Sequence, residues 1–276
     1  MSLSLSNPKE AFMQSLYTAA TGMTAQQLNI DTISNNLANV STSGFKKQRV
    51  DFQDLMYLNL KPAGTPTSPE TNTPVGLQIG EGVKPVNTQR IFTEGAIQNT
   101  NNPLDLLIEG NDGFFQVTLP NGETAYTRDG SFQMDGNGNI VTADGYFLDP
   151  PVQVPAQTTQ IQITSSGQIL VQVAGSAQQT QVGQIELTNF VNPAGLAAMG
   201  HNLFQQTPAS GDPIQGTPGA VGFSSIQQGS LESSNVDVVT EMVNLIVAQR
   251  AYEMNSKAVS TSDDMMSILA NMKQFP

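Results

Sequence analysis

Histidine is the side chain best suited to proton transfer near neutral pH, and this chain has one, His201, in the run MGHNLF. A His-based triad or a two-histidine metal site is therefore not expected, and His201 reads as a surface or capping residue. Asp135–Asn139 (DGNGN) resembles the start of a calcium loop. The sixth position, however, is Ile140 in place of the turn glycine, and the twelfth is Tyr146 in place of a bidentate Glu. Asp129 and Asp135 lie close enough in sequence to pose as paired glycosidase carboxylates. Both sit in turn-forming Asp-Gly pairs, where Asp is favoured for backbone reasons alone. No Gly-x-Ser-x-Gly elbow and no Gly-rich phosphate loop ending in Lys occurs. With no cysteine in the chain, thiolate-bound zinc and disulfides are excluded. The residues thus predict no catalytic, metal or cofactor site. An envelope glycan-binding or hydrolytic module stays open only as a remote alternative.

Charge narrows the partners. The 276 residues carry a net charge of -12, yet only 12% of them are charged, about half the usual share. Residues 13–49 set Lys46, Lys47 and Arg49 against Asp31 alone, whereas residues 50–230 hold a net of -11. There is no basic footprint for a nucleic acid and no attraction to anionic lipid. No stretch approaches the roughly 20 apolar residues of a membrane span, and no cleavable signal peptide is evident. Neither nucleic-acid binding nor membrane insertion is expected.

The elements follow from where proline and glycine fall. Of the 16 prolines, 14 lie between Pro62 and Pro218; of the 24 glycines, 22 lie between Gly64 and Gly229. Helices are permitted at the two ends and discouraged between them. At the first end Leu16, Met23, Ile30 and Leu37 recur every seven residues, and Ile33 supplies the complementary spacing of a heptad stripe. At the other, Val238, Leu245, Tyr252, Val259 and Met266 do the same, with Met242 and Leu269 widening the stripe. Such weakly apolar helices are marginal alone in water. The expectation is an α+β chain whose long N- and C-terminal helices pair in a coiled-coil-like core domain, with these residues forming subunit interfaces. Ser234 or Asn235 is the expected cap of the second helix.

The middle reads as all-β. Asn-Gly or Asp-Gly pairs at 121, 129, 135, 137 and 144 mark hairpins, and runs such as 114–119, 161–164, 169–173 and 182–188 alternate as half-buried strands do. The expected division is 1–12 as an extension, 13–45 with 230–276 as the helical core, 46–100 as an extended linker and 101–229 as the β domain. Within the linker, Leu55, Met56, Leu58, Leu77 and Ile79 flank the proline-rich run 61–74 and would be costly to leave wet. They are expected to brace neighbouring subunits.

Several blocks carry a resemblance. LYTAATGM at 16–23 and DTISNNLANVSTSGFKKQR at 31–49 resemble the N-terminal signature of bacterial flagellar rod and hook proteins. SSNVDVVTEMVNLIVAQRAYEMNSKAVSTSDDMM at 233–266 resembles their C-terminal helix, and 102–117 and 126–150 resemble their β domain. The linker type and the closing NSKAVSTSDDM are most similar to the distal-rod branch, with proximal rod or hook subunits as the alternative. The resemblance implies a non-enzymatic subunit that forms a helical homo-oligomer lining a central channel. It further implies contacts with the proximal rod, hook-side axial proteins and surrounding basal-body rings. Export would run through the flagellar type III apparatus, placing the chain in the basal-body rod across the periplasm.

Overall fold

The computed structural model describes the backbone of residues 8–64, 66–68, 71–72, 74–175 and 178–272, and the side chains of residues 13–64, 74–175 and 178–268. The chain divides into two units. A helical unit comprises residues 1–35, 48–89 and 239–276; a β unit comprises 36–47 and 90–238.

In the helical unit, α1 (Pro8–Ala38) and α2 (Val238–Met272) occupy the stretches that proline and glycine avoid. The threonines of α1 are accommodated by bonding to their own helix: the hydroxyls of Thr18, Thr24 and Thr32 donate to the carbonyls of Gln14, Ala20 and Leu28. The expected coiled-coil-like pairing of the two helices along their length does not occur. They touch where a Cβ on Gly22 would lie 2.8 Å from Asn255 Nδ2, and where the hydroxyls of Ser15 and Ser262 approach to 3.4 Å. Val238 remains 40% exposed and Met242 50% exposed. The physical reason is side-chain size. The positions most covered on the helices include Ala25, Thr32, Ala248 and Ser262, which supply few apolar knobs for a continuous seam.

The rest of this unit is a ribbon. Strand Gln48–Asp54 pairs with Val83–Arg90, and Tyr57–Lys61 runs antiparallel to Leu77–Gly80 with Leu58 opposite Ile79. Further out, Pro66–Ser68 pairs with Thr71–Asn72. What reads in sequence as an extended linker therefore doubles back on itself as a two-stranded arm.

The β unit is built on a nine-stranded antiparallel sheet whose centre is Phe114–Thr118. Thr124–Thr127 lies on one side of that strand; Phe147–Asp149 and Leu187–Asn189 share the other. A three-stranded meander, Thr158–Ile163, Gln168–Val173 and Gln179–Gln184, packs nearby. Fourteen buried apolar residues, among them Phe115, Phe132, Leu148, Ile169 and Leu187, form the main core. A second cluster stacks Phe114, Tyr126, Phe190 and Phe204 edge to face with ring centroids 4.8–5.9 Å apart.

Three of the five expected turns are hairpins with a left-handed glycine, Gly122, Gly138 and Gly145. Asp129–Gly130 is not. There Gly130 is required by contact, since a Cβ would fall 1.7 Å from the Leu106 carbonyl oxygen. The expected strand over 182–188 is broken at buried Ile185, and its halves join different sheets.

Candidate interaction surfaces

The side chains with chemical potential are occupied by the backbone. Asp135 accepts the N–H groups of Asn137 and Asn139 at 2.9 and 2.7 Å and the Asn139 amide at 2.9 Å. The Asn139 side-chain bond, followed by its backbone bond, holds this carboxyl below the usual aspartate range. Asp129 accepts the Ser131 N–H at 3.1 Å. His201 sits in a left-handed turn with Nδ1 3.6 Å from Asp144 Oδ2, both side chains in solvent. Among the described residues no group of three His, Asp or Glu converges as metal ligands would.

The strongest electrostatic feature lies inside the β unit, and sequence reasoning missed it. Glu232 is buried between two buried cations: Lys46 Nζ bonds its Oε1, and Arg128 Nε stands 3.3 Å from its Oε2. Each member has further bonds. Lys46 Nζ donates to the Thr93 carbonyl at 2.7 Å, Arg128 donates to the carbonyls of Gly110, Asp112 and Gly113, and the Gly95 N–H donates to Glu232. Burial lowers the pKa of both cations, and for Lys46 the Arg128 charge lowers it further. Alongside, Asn235 is no helix cap. Its Oδ1 accepts the Lys47 N–H at 2.8 Å, and its Nδ2 donates to the Ile91 carbonyl at 2.8 Å. Ser234 Oγ accepts the Val236 N–H at 3.3 Å, one turn short of α2. No spacing in the sequence points to this cluster, whose three charges lie far apart along the chain.

The heptad residues divide. Ile33 is buried; Leu16, Met23, Ile30, Leu37, Leu245, Val259 and Met266 are half-buried; Val238, Met242 and Tyr252 are exposed. Leu269 lies outside the described side chains. Met23 and Tyr252 are brought together, lining one open groove with Ala20, Thr24 and Leu28. The prominent apolar stripe of α2 is another one. Val239, Met242, Val243, Ile246 and Val247 follow the i, i+3, i+4, i+7, i+8 spacing of a single helix face, and all are exposed. No described helix is long and apolar enough to cross a membrane.

On the ribbon, Leu58, Leu77 and Ile79 are exposed, Met56 is 81% exposed, and only Leu55 is half-buried. A two-stranded ribbon has no second layer to cover such residues.

Long end helices with an uncovered apolar face, a ribbon arm and a β unit between them define an assembly subunit of the flagellar axial class, as the sequence blocks imply. Family comparison agrees along the chain. Residues 16–46 match the flagella basal body rod protein family, 107–171 the flagellar hook protein FlgE/F/G D1 domain, and 227–272 the flagellar basal body rod FlgEFG protein C-terminal domain. The flagellar basal-body rod protein FlgG of Buchnera aphidicola (subsp. Acyrthosiphon pisum) is 52% identical, covering 94% of this chain and 99% of its own. That of Borreliella burgdorferi is 51% identical over 95% and 99%, and that of Caulobacter vibrioides 48% over 95% and 100%. The chain belongs to the FlgG family of flagellar basal-body rod proteins.

Proposed function

We propose that the chain is the structural subunit of the distal rod. Copies wind into a helical tube that carries motor torque across the cell envelope to the hook, with no catalytic role. The tube joins proximal-rod and hook-side axial proteins at its ends and turns within the basal-body rings. Export through the type III apparatus brings it to the periplasmic part of the flagellum. The observation that carries this reading is the α2 stripe at 239–247. Fully covering one Val, Ile or Met side chain stabilises by about 1.5–3 kcal/mol, so five left in water on one face strongly favour contact with further copies. The half-buried heptad residues of both helices are proposed to complete those contacts.

The test is Val243→Asp with Val247→Asp in the full chain. Neither side chain belongs to the β unit, so its unfolding transition should be unchanged while rods disappear from isolated basal bodies. Rods and swimming at wild-type levels would show that this face is not an interface.

The ribbon supports a second element of the same reading. With Leu58 and Ile79 opposite one another and exposed, the arm is proposed to dock between neighbouring subunits and stiffen the tube. Deleting residues 55–79 should leave the β unit folded and give a more flexible or curved polymer. A straight polymer of unchanged stiffness by electron microscopy would reduce the arm to a tether.

A further inference from the structure

An asparagine followed by glycine carries a side-chain amide that the backbone itself can attack, because glycine has no Cβ to hinder the approach. The chain has two such pairs, Asn121–Gly122 and Asn137–Gly138. In both the asparagine is exposed and the glycine is left-handed. Their hydrogen bonds differ.

The first pair lies in the turn that joins Phe114–Thr118, the centre of the sheet, to Thr124–Thr127. Asn121 Oδ1 accepts the Glu123 N–H at 3.0 Å, and Asn121 Nδ2 donates to Glu123 Oε2 at 2.8 Å. A backbone donor on the amide oxygen draws electrons from Cγ and is placed to stabilise an oxyanion formed there. The Gly122 N–H donates to the Leu119 carbonyl at 2.9 Å. A Cβ at Gly122 would meet nothing within 4 Å, so the tip has room to change shape.

At the second pair the corresponding donor is spent elsewhere. The Asn139 N–H goes to Asp135 Oδ1 at 2.7 Å, and the Asn137 N–H goes to the same oxygen at 2.9 Å. The Gly138 N–H donates to the Asp135 carbonyl at 3.1 Å, and the Gly138 carbonyl accepts the Val154 N–H at 2.7 Å. The Asn137 carbonyl accepts the Gln153 amide at 3.1 Å. A Cβ at Gly138 would fall 2.3 Å from the Val154 carbonyl oxygen. This turn is sewn to its neighbours on both sides.

We propose that Asn121 is a self-modification site, where attack by the Gly122 nitrogen converts the asparagine amide to a carboxylate. Hydroxide removes the Gly122 amide proton, and the nitrogen adds to Asn121 Cγ with the developing oxyanion facing the Glu123 N–H. The new N–C bond closes a succinimide ring. The Cγ–Nδ2 bond breaks, and Nδ2 leaves as ammonia with a proton from water, which returns the hydroxide. Water then opens the ring at either carbonyl to give aspartate or its β-linked isomer. Nothing is oxidised or reduced; water is taken up and ammonia released. The product sets a carboxylate against Glu123 where an amide had bonded it, and makes a chain of net charge -12 more acidic. The hairpin at the sheet centre thus carries a mark of the chain's age.

The full chain is incubated in its native state at mildly alkaline pH. Conversion at 121 and at 137 is followed by peptide mass spectrometry, with the two product isomers separated by chromatography. Conversion at 121 should be at least about tenfold faster, since the second turn must open additional hydrogen bonds before its ring can close. In urea, with both turns unfolded, the two rates should converge. Asp135→Ala, which frees the Asn139 N–H, should speed conversion at 137 in the otherwise native chain. Equal native rates, faster conversion at 137, or a native difference that persists unchanged in urea overturns the proposal. So does an unaltered rate at 137 in Asp135→Ala, which would mean that these hydrogen bonds do not set the rates.

Discussion

Glu232 is the anion shared by Lys46 and Arg128, so substitutions around it should be unequal. Glu232→Gln leaves two buried cations facing each other without their carboxylate and should cost about 3–5 kcal/mol in urea unfolding of the β unit. Lys46→Met leaves a balanced Arg128–Glu232 pair and should cost clearly less; equal losses would refute a role for the shared charge. The pH response has a definite sign. Burial and Arg128 lower the Lys46 pKa below 10.5, so the folded chain releases that proton before the unfolded chain does. The Lys46 contribution to stability therefore rises with pH across the alkaline window below 10.5 and should vanish in Lys46→Met. None of this was legible in the sequence. Lys46 stands among three neighbouring cations, and it meets Glu232 across 186 positions that no local spacing reports.

At the scale of elements, the sequence was legible wherever backbone chemistry decides. Proline and glycine placement marked both helices, and Asn-Gly or Asp-Gly pairs marked the turns at Gly122, Gly138 and Gly145. It misled where packing decides. Heptad counting favours large side chains, yet the helices touch at Gly22 and Ser15, where small residues permit approach. The face at 239–247 was equally readable in the sequence, and a fixed seven-residue frame hides it. Helices covered this sparsely should open easily. In dilute monomer, amides of residues 13–35 and 243–268 should exchange orders of magnitude faster than those of Phe114–Thr118 at the sheet centre. Comparable protection of the two sets in hydrogen-exchange mass spectrometry would contradict this.

For the whole molecule, composition marks a helix, a β region and a helix, and the two compact units group the chain differently. Residues 36–47 belong with the β unit and residues 48–89 with the helices, because the chain crosses between units more often than its composition changes. The net charge of -12 acts at this scale too. Copies of so acidic a chain repel at low salt, where the Debye length is about 30 Å at 0.01 M, and less so at 0.15 M, where it is about 8 Å. Polymer yield from purified chain should rise over that range in sedimentation. A yield that fell with salt would mean that ion pairs, and not apolar faces, hold the copies together.

The side chain of Asn235 ties Lys47 to Ile91, and the Gly44 N–H donates to the Glu232 carbonyl at 2.8 Å. The segments that lead to three of the four boundaries of the β unit, near 47, 91 and 235, are thus stitched to one another. Tension applied to those segments would meet that stitch before it reached the sheet. A unit whose entering and leaving segments are held side by side can be enlarged, trimmed or exchanged during evolution while that stitch is kept.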